Sequence, residues 1–438
     1  MPAPITTTLG MTRPLPVSGA WLLRDTQRYV HYATMIIHPI GASRKADTHA
    51  HPGPINTVVA FRRFALPPAR PSRQSVLMTE ATVGVVKSTS PDLLEDTGSG
   101  LDYGTTPEHV LGEITPIDRF FIRSHAPTPL IDAAAWSLRI EGDGVEEPVE
   151  YRYEDICTTF EHVTVRRTIE CAGNRRVLFG EELGQTFEGT QWGRTAISTA
   201  EWTGVRLRDL LEPARVTAAA LEVMPESLDE IRARRPLPLQ KALAPDTIVA
   251  IAMNGEALPP DHGFPARLVV SGWLGAASIK WLGRIEVAER AIQVPWNTED
   301  YVLIGPEYPG HGAARGAAIT EPALSTLIDL PWPARLASRP QIIRGRAFAG
   351  EATVTEVHVR VDDGPWQSAT ITSPGGPGLW ARWQFRWHPE PGEHEIRVRA
   401  TDDRGRTQPE TTPWNELGYM HRSILAHPVH VVDAEPVV

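Results

Sequence analysis

The chain has 438 residues, 41% hydrophobic and 22% charged, an ordinary globular balance with room for two or three cores. Its net charge of −10 gives no general attraction for nucleic acid or a membrane surface, so any anion site must be a local basic pocket. Two cysteines, Cys157 and Cys171, exclude a disulfide framework, a four-cysteine zinc or iron–sulfur site, and the C-x-x-C-H attachment of a c-type haem.

Residues 1–85 read as a proline-rich, loosely ordered extension. MPAPITTTLGMTRPLPVSG and FALPPARPSRQ show no sustained periodicity. The arginine pair of FRRFALPPARP is followed by no apolar run, which argues against a twin-arginine signal. HAHPG at 49–53 reads as an exposed polar loop, and Met78 is an alternative start. No apolar run approaches the ~20 residues of a membrane helix. Without a clear signal peptide, the reading favours the cytoplasm, with the periplasm as the alternative.

Residues 86–317 have the texture of a mixed α+β domain. WSLRIEGDGVEEPVEY alternates as a strand, turns at Gly142-Asp143-Gly144 and resumes. HVTVRRTIECAG is a further strand running into a break at Gly173-Asn174. In TAEWTGVRLRDLLEPA, Thr199 is the expected cap of a helix carried by Leu207, Leu210 and Leu211. TIVAIAMNGEALP predicts a buried strand and an Asn254-Gly255 turn, and RLVVSGWLG and ASIKWLGRIEVAE predict two more strands. Residues 318–438 turn all-β: Val357, Val359 and Val361 alternate, as do Trp383, Phe385 and Trp387, then Ile396, Val398 and Ala400. Short strands at this spacing predict an immunoglobulin-like β-sandwich. The load of Trp380, Trp383, Phe385 and Trp387 is consistent with a large buried subunit interface, the alternative being that these aromatics fill the sandwich core.

Three clusters carry chemistry. In RRTIECAGNRR, Cys171 leaves a strand beside Arg175 and Arg176. A thiolate favoured by positive charge fits either a soft metal ligand or a reactive nucleophile. Cys157, in YEDICTTF, reads instead as a small buried hydrophobe. DHGFPARLVV and GWLGAASIKWLG set His262, Arg267 and Lys280 among glycines, where a backbone can approach a bulky anion and arginine can grip phosphate. FFIRSH places Arg123 and His125 on one face of an extended segment.

Together ECAGNRR, DHGFPARLVV, SIKWLG and the QPE…PWN…G run at 408–418 resemble the sulfite oxidase family of molybdenum enzymes, over roughly residues 100–435. The resemblance implies a molybdopterin-binding domain followed by a β-sandwich dimerisation domain. It implies one molybdenum held by one molybdopterin, by oxo or hydroxo ligands and by the Cys171 thiolate. The cofactor-contacting stretch falls on Phe121, Ile122, Arg123, Ser124 and His125, with Ser124 where asparagine is common. Further contacts fall on Asp229 (its glycine replaced in Ser227-Leu228-Asp229), His262, Arg267, Ser278, Ile279 and Lys280. Arg123 and Arg176 match the oxyanion-binding arginines, Trp192 a pocket aromatic and Tyr301 the active-site tyrosine. Glu188 replaces a lysine and Ala381 an arginine, with Arg382 one step on and facing the other way, so the pocket is less basic than in animal sulfite oxidases. The implied activity is oxidation of sulfite, a small oxyanion, by a homodimer that passes electrons to a separate acceptor such as a cytochrome, no haem motif being present. The alternatives are a relative acting on nitrate or a sulfane-type sulfur compound, and a cofactor-less scaffold.

Overall fold

The computed structural model describes residues 85–86, 94–110 and 112–433. The extension up to residue 84, with HAHPG, the arginine pair and Met78, lies outside the described residues.

Two five-stranded sheets build the first part of the described chain. One contains β1 (Ser137–Glu141), β2 (Val149–Arg152), β5 (Glu222–Ser227), β6 (Leu237–Pro238) and β10 (Leu282–Ala288) in the order β2-β1-β10-β5-β6. Of its neighbours only β1 and β10 run parallel. The other runs β8-β7-β4-β3, with β9 paired to β7; its strands are β3 (Val163–Glu170), β4 (Ile197–Arg206), β7 (Ile248–Met253), β8 (Glu256–Ala257) and β9 (Arg267–Val269). Alternation decides the burial: Leu138 and Ile140 of β1 are fully buried while Arg139 between them is exposed. Their core takes in Val205, Leu207, Leu210, Leu268, Ile285 and Val287.

Helices are few and short, so this part is more β than the expected α+β balance. They include α1 (Tyr153–Thr158), α2 (Arg176–Leu183) and α3 (Leu207–Leu211). Thr199 does not cap α3. It lies inside the ten-residue β4, where its Oγ1 is 2.6 Å from that of Thr168 on β3. β4 pairs with β3 as far as Gly204 and, past a bulge at Thr203/Gly204, with β7 as far as Arg206, so the helix starts only at Leu207. Cys157 lies on α1 half-buried rather than buried.

The C-terminal part is all β. A four-stranded sheet runs in the order Ser325–Ile328 (β11), Gln341–Phe348 (β13), Ala381–Trp387 (β17), Thr370–Ser373 (β16). A five-stranded sheet runs Ala334–Ala337 (β12), Ala426–Val432 (β19), Gly392–Asp402 (β18), Val354–Val361 (β14), Gln367–Ser368 (β15). Both sheets contribute to one apolar core containing Ile343, Ala381, Trp383, Phe385, Val359, Ile396 and Val398. The tryptophan stripe of β17 therefore fills this core rather than offering a subunit interface, because period 2 turns Trp383, Phe385 and Trp387 to one side and that side is inward. Trp380 packs with Val110, Ile197, Leu327 and Phe348, joining the two parts. No helix among the described residues is long and apolar enough to cross a membrane.

Candidate active site

The strand β3 explains where the site is. Its first residues are partly exposed and its last three, Thr168, Ile169 and Glu170, are buried, so the chain emerges at Cys171 into the interior of the molecule. The backbone then turns tightly: Asn174 N–H donates to Cys171 C=O at 3.0 Å, and Arg175 takes a left-handed φ of 69° ahead of α2. A Cβ at Gly173 would sit 2.9 Å from the Arg176 guanidinium carbon, so a larger residue there would have to push the Arg176 side chain aside. Cys171 faces a cleft with about 90 Å³ of room for water-sized molecules.

Most of the expected residues meet in this cleft. Phe121, Arg123, Ser124, His125, Cys171, Asp229, His262, Arg267, Ser278, Ile279, Lys280 and Tyr301 all line it. Ile122 does not, as alternation turns it inward, 1% exposed, while its neighbours face the cleft. Trp192 is fully buried and does not line the cleft either; it packs edge-on beneath Phe121, ring centroids 6.2 Å apart. Arg176 lies behind the wall, 5% exposed, its Nε donating to Leu417 C=O at 3.1 Å and its Nη1 to Thr190 C=O at 2.6 Å. Glu188 is exposed and Ala381 faces the C-terminal core, so neither departure from the family pattern reaches the cleft walls.

The basic end of the cleft is rigid. Arg267 is held by the carbonyls of His262 (3.1 Å) and Ser278 (2.9 Å) and lies 4.8 Å over the Trp202 ring; burial brings its pKa down to about 9. Lys280 donates to Ser124 Oγ at 2.8 Å and Asp261 C=O at 2.9 Å. Burial, with the nearby Arg267 charge, pulls Lys280 down to about 7. Two basic groups are thus immobilised at a desolvated cleft end, with Asp261 and Asp229 also among the lining residues, and buried basic groups of this kind are suited to an anionic group such as a phosphate.

At the thiol end, Arg123 pairs with Asp102 at 3.3 Å, and Asp102 also accepts from Ser124 N–H at 3.0 Å and Thr190 Oγ at 2.8 Å. Burial works against the Arg123 charge, yet Tyr301, Asp102 and Cys171 hold its pKa above the ordinary value. Burial pushes the Cys171 thiol up, and Arg123 opposes it. Burial and the neighbouring cations Arg123 and Lys280 push His125 down to about 3, so its ring is neutral. Its Nε2 is 3.4 Å from the Tyr301 hydroxyl. Burial, then Tyr419, raises the Tyr301 phenol, which therefore keeps its proton.

Several residues of this end were not singled out from the sequence. Asp102 anchors Arg123 from 21 residues away. Trp296 borders the cleft and lies 4.9 Å from the His125 ring. Tyr419 stacks on Tyr301 from the C-terminal part, and Arg235 lies 5.5 Å from the Tyr301 ring centroid on β6's approach. The run PWN…G preceding Tyr419 was the available signal for it; the arginine-rich RARR was the signal for Arg235.

Comparison with known proteins agrees with this layout. Residues 125–296 match an oxidoreductase molybdopterin binding domain, and residues 315–432 a Mo-co oxidoreductase dimerisation domain. A nitrate reductase [NAD(P)H] of Hordeum vulgare is 32% identical over 348 residues, covering 71% of this chain and 38% of that protein. The mitochondrial sulfite oxidase of Mus musculus is 33% identical over 344 residues, covering 73% of this chain and 62% of that one. The chain thus spans between about two fifths and three fifths of these relatives' length. Among solved structures, the sulfane dehydrogenase SoxCD of Paracoccus pantotrophus superposes with a TM-score of 0.67 at 29% identity, covering 79% of this chain and 90% of that one. With the thiol, the buried basic groups and both matched domains in one chain, the protein belongs to the sulfite oxidase family of molybdopterin-dependent oxidoreductases.

Proposed function

We propose that the protein oxidises a small sulfur oxyanion, sulfite, to sulfate, and passes the electrons to a separate acceptor such as a cytochrome. The observation that carries this reading is one cleft lined by the buried basic groups Arg267 and Lys280 and by a thiol, Cys171, beside the Arg123 guanidinium. The residues fit a molybdenum cofactor. Among the described residues no three His, Cys, Asp or Glu side chains gather around a metal position, so a metal here would take one thiolate, that of Cys171, and its remaining ligands from a bound group. Arg267, Lys280, His262 and Ser278 would hold the anionic tail of that group, with Asp229 and Ile279 beside it.

When bound, the molybdenum centre supplies oxygen-atom transfer and two-electron chemistry. Arg123 would receive the oxyanion's oxygens, its orientation fixed by Asp102, and Arg176 would add charge from behind. Neutral His125 and the protonated Tyr301 hydroxyl would offer hydrogen bonds without adding charge.

A sulfane-type substrate is the second reading. It is favoured by the likeness to SoxCD and by a mouth in which Arg123 alone of the two arginines lines the cleft, among Trp296 and Tyr301. We also read the C-terminal sheets as an immunoglobulin-like sandwich beginning near residue 318, and its match to a dimerisation domain as support for a homodimer. The deciding measurement is reduction of cytochrome c by molybdenum-loaded enzyme, with sulfite and with a sulfane-sulfur compound in parallel. Turnover with sulfite is the expected result. Turnover with only the sulfane compound moves the assignment to the second reading, and none with either overturns both.

A further inference from the structure

Four charged and aromatic groups form one continuous stack across the junction of the two parts. The Arg235 guanidinium carbon lies 5.5 Å from the Tyr301 ring centroid. Tyr301 and Tyr419 stack 5.7 Å apart with an interplanar angle of 4°. The Arg176 guanidinium carbon closes the stack 5.0 Å from the Tyr419 ring. Each end is pinned by two backbone carbonyls: Arg235 by those of Trp296 and Ile319, Arg176 by those of Thr190 and Leu417.

The loop presenting Tyr419 is also fixed to the cleft. Asn415 brackets it from both sides, Oδ1 accepting from Tyr419 N–H and Nδ2 donating to Tyr419 C=O, each at 2.9 Å. Met420, at a φ of 59°, donates its N–H to the carbonyl of Ala172, the residue after Cys171, at 2.9 Å. So the C-terminal part reaches the Cys171 turn by its backbone and Arg176 by an aromatic face. Arg176 has its Nε and Nη1 committed to carbonyls and its guanidinium pressed on Gly173, while Nη2 has no hydrogen-bond partner among the described residues. The Tyr419 hydroxyl likewise makes no hydrogen bond among the described residues, so the contact it supplies is that of its ring.

We propose that Tyr419 is a positioning and specificity-determining residue of this site: its ring, lying between Tyr301 and Arg176, holds the Arg176 guanidinium against the Cys171 turn and thereby sets the affinity for a small oxyanion. This rests on the oxyanion reading of the cleft. Removing the ring takes away one face of the Arg176 enclosure and the partner of Tyr301, letting two long side chains sample other rotamers.

The test is sulfate binding by calorimetry on the molybdenum-loaded enzyme, together with sulfite kinetics. Tyr419→Ala is expected to weaken sulfate binding about tenfold, the ratio that 1.4 kcal/mol represents, and to raise KM more than it lowers kcat. Tyr419→Phe, which keeps the ring, is expected to rescue most of that loss. In an Arg176→Gln background, Tyr419→Ala should cost little more, because the ring acts through the guanidinium. Molybdenum content should match wild type throughout, separating a misplaced arginine from a lost cofactor. Unchanged sulfate affinity in Tyr419→Ala, a Phe variant as weak as Ala, or full additivity with Arg176→Gln each overturns the proposal while wild-type sulfite oxidation leaves the oxyanion reading standing. A wild-type enzyme that neither binds sulfate nor oxidises sulfite overturns both.

Discussion

Cys171 carries two opposing influences. Burial disfavours its thiolate, while Arg123 and, more weakly, Arg176 favour it. A metal ion supplies far more positive charge than either arginine, and a coordinating thiol is deprotonated outright. Cys171→Ser exchanges a soft ligand for a hard hydroxyl of high pKa in a space of nearly the same shape. We expect turnover to disappear and the unfolding midpoint to stay within about 2 °C, a shift that corresponds to roughly 1–2 kcal/mol in a chain of this size. Retained activity in the serine variant, measured alongside metal content, would remove Cys171 from the reaction. The cleft residues of the ECAGNRR, DHGFPAR and SIK segments were legible from order and type, because each segment brings its own backbone turn. Trp192 was not: whether a large aromatic faces a cleft or the core beneath it depends on Phe121, 71 residues earlier in the chain.

Among the elements, β19 carries a titratable group that the sequence pattern leaves unmarked. His427 is 1% exposed, sits edge-on to Trp332 with centroids 4.7 Å apart, and its Nε2 is 2.8 Å from Pro331 C=O. Burial, then the Arg194 charge, lowers its pKa to about 4 from the ordinary 6.5. Between those two values the unfolded chain binds a proton that the folded chain refuses. The stability associated with neutral His427 is therefore present above pH 6.5, declines as pH falls, and levels off below about 4. Replacing His427 with Gln should lower stability at pH 7.5 through the altered packing, yet flatten the acid decline by up to about 1.4 kcal/mol per pH unit. Urea unfolding of both proteins at pH 7.5, 6 and 5 checks this, and parallel declines would refute it. His125 and His421, also lowered by burial, add slope in the same direction, while Glu170, raised to about 7 by burial, opposes it. At this scale the strands were legible from alternation, and the start of α3 was not. The residues of TAEWTGV satisfy a cap-and-helix pattern locally, but the pairing partners that draw them into β4 are distant in sequence.

For the whole molecule, the inward turn of the β17 tryptophans shifts the question of assembly to other surfaces. Ile342 on β13 and Trp414 are large apolar side chains left exposed in the C-terminal part. A homodimer should sediment at twice the 48.2 kDa chain mass at micromolar concentration, and a monomer there would contradict the assembly proposed. By itself the sequence determined the family, most of the residues that line the cleft and most strands, since motifs and period-2 alternation are local properties of consecutive residues. Only the tertiary structure decided that Arg176 stands behind the cleft wall, that Asp102 orients Arg123, and that Tyr419 from the C-terminal part completes the stack over Tyr301. The physical reason is that these contacts join segments apart in the chain, 21 residues for Asp102 and Arg123 and 243 for Arg176 and Tyr419. No pattern in either segment alone records which face the other will meet.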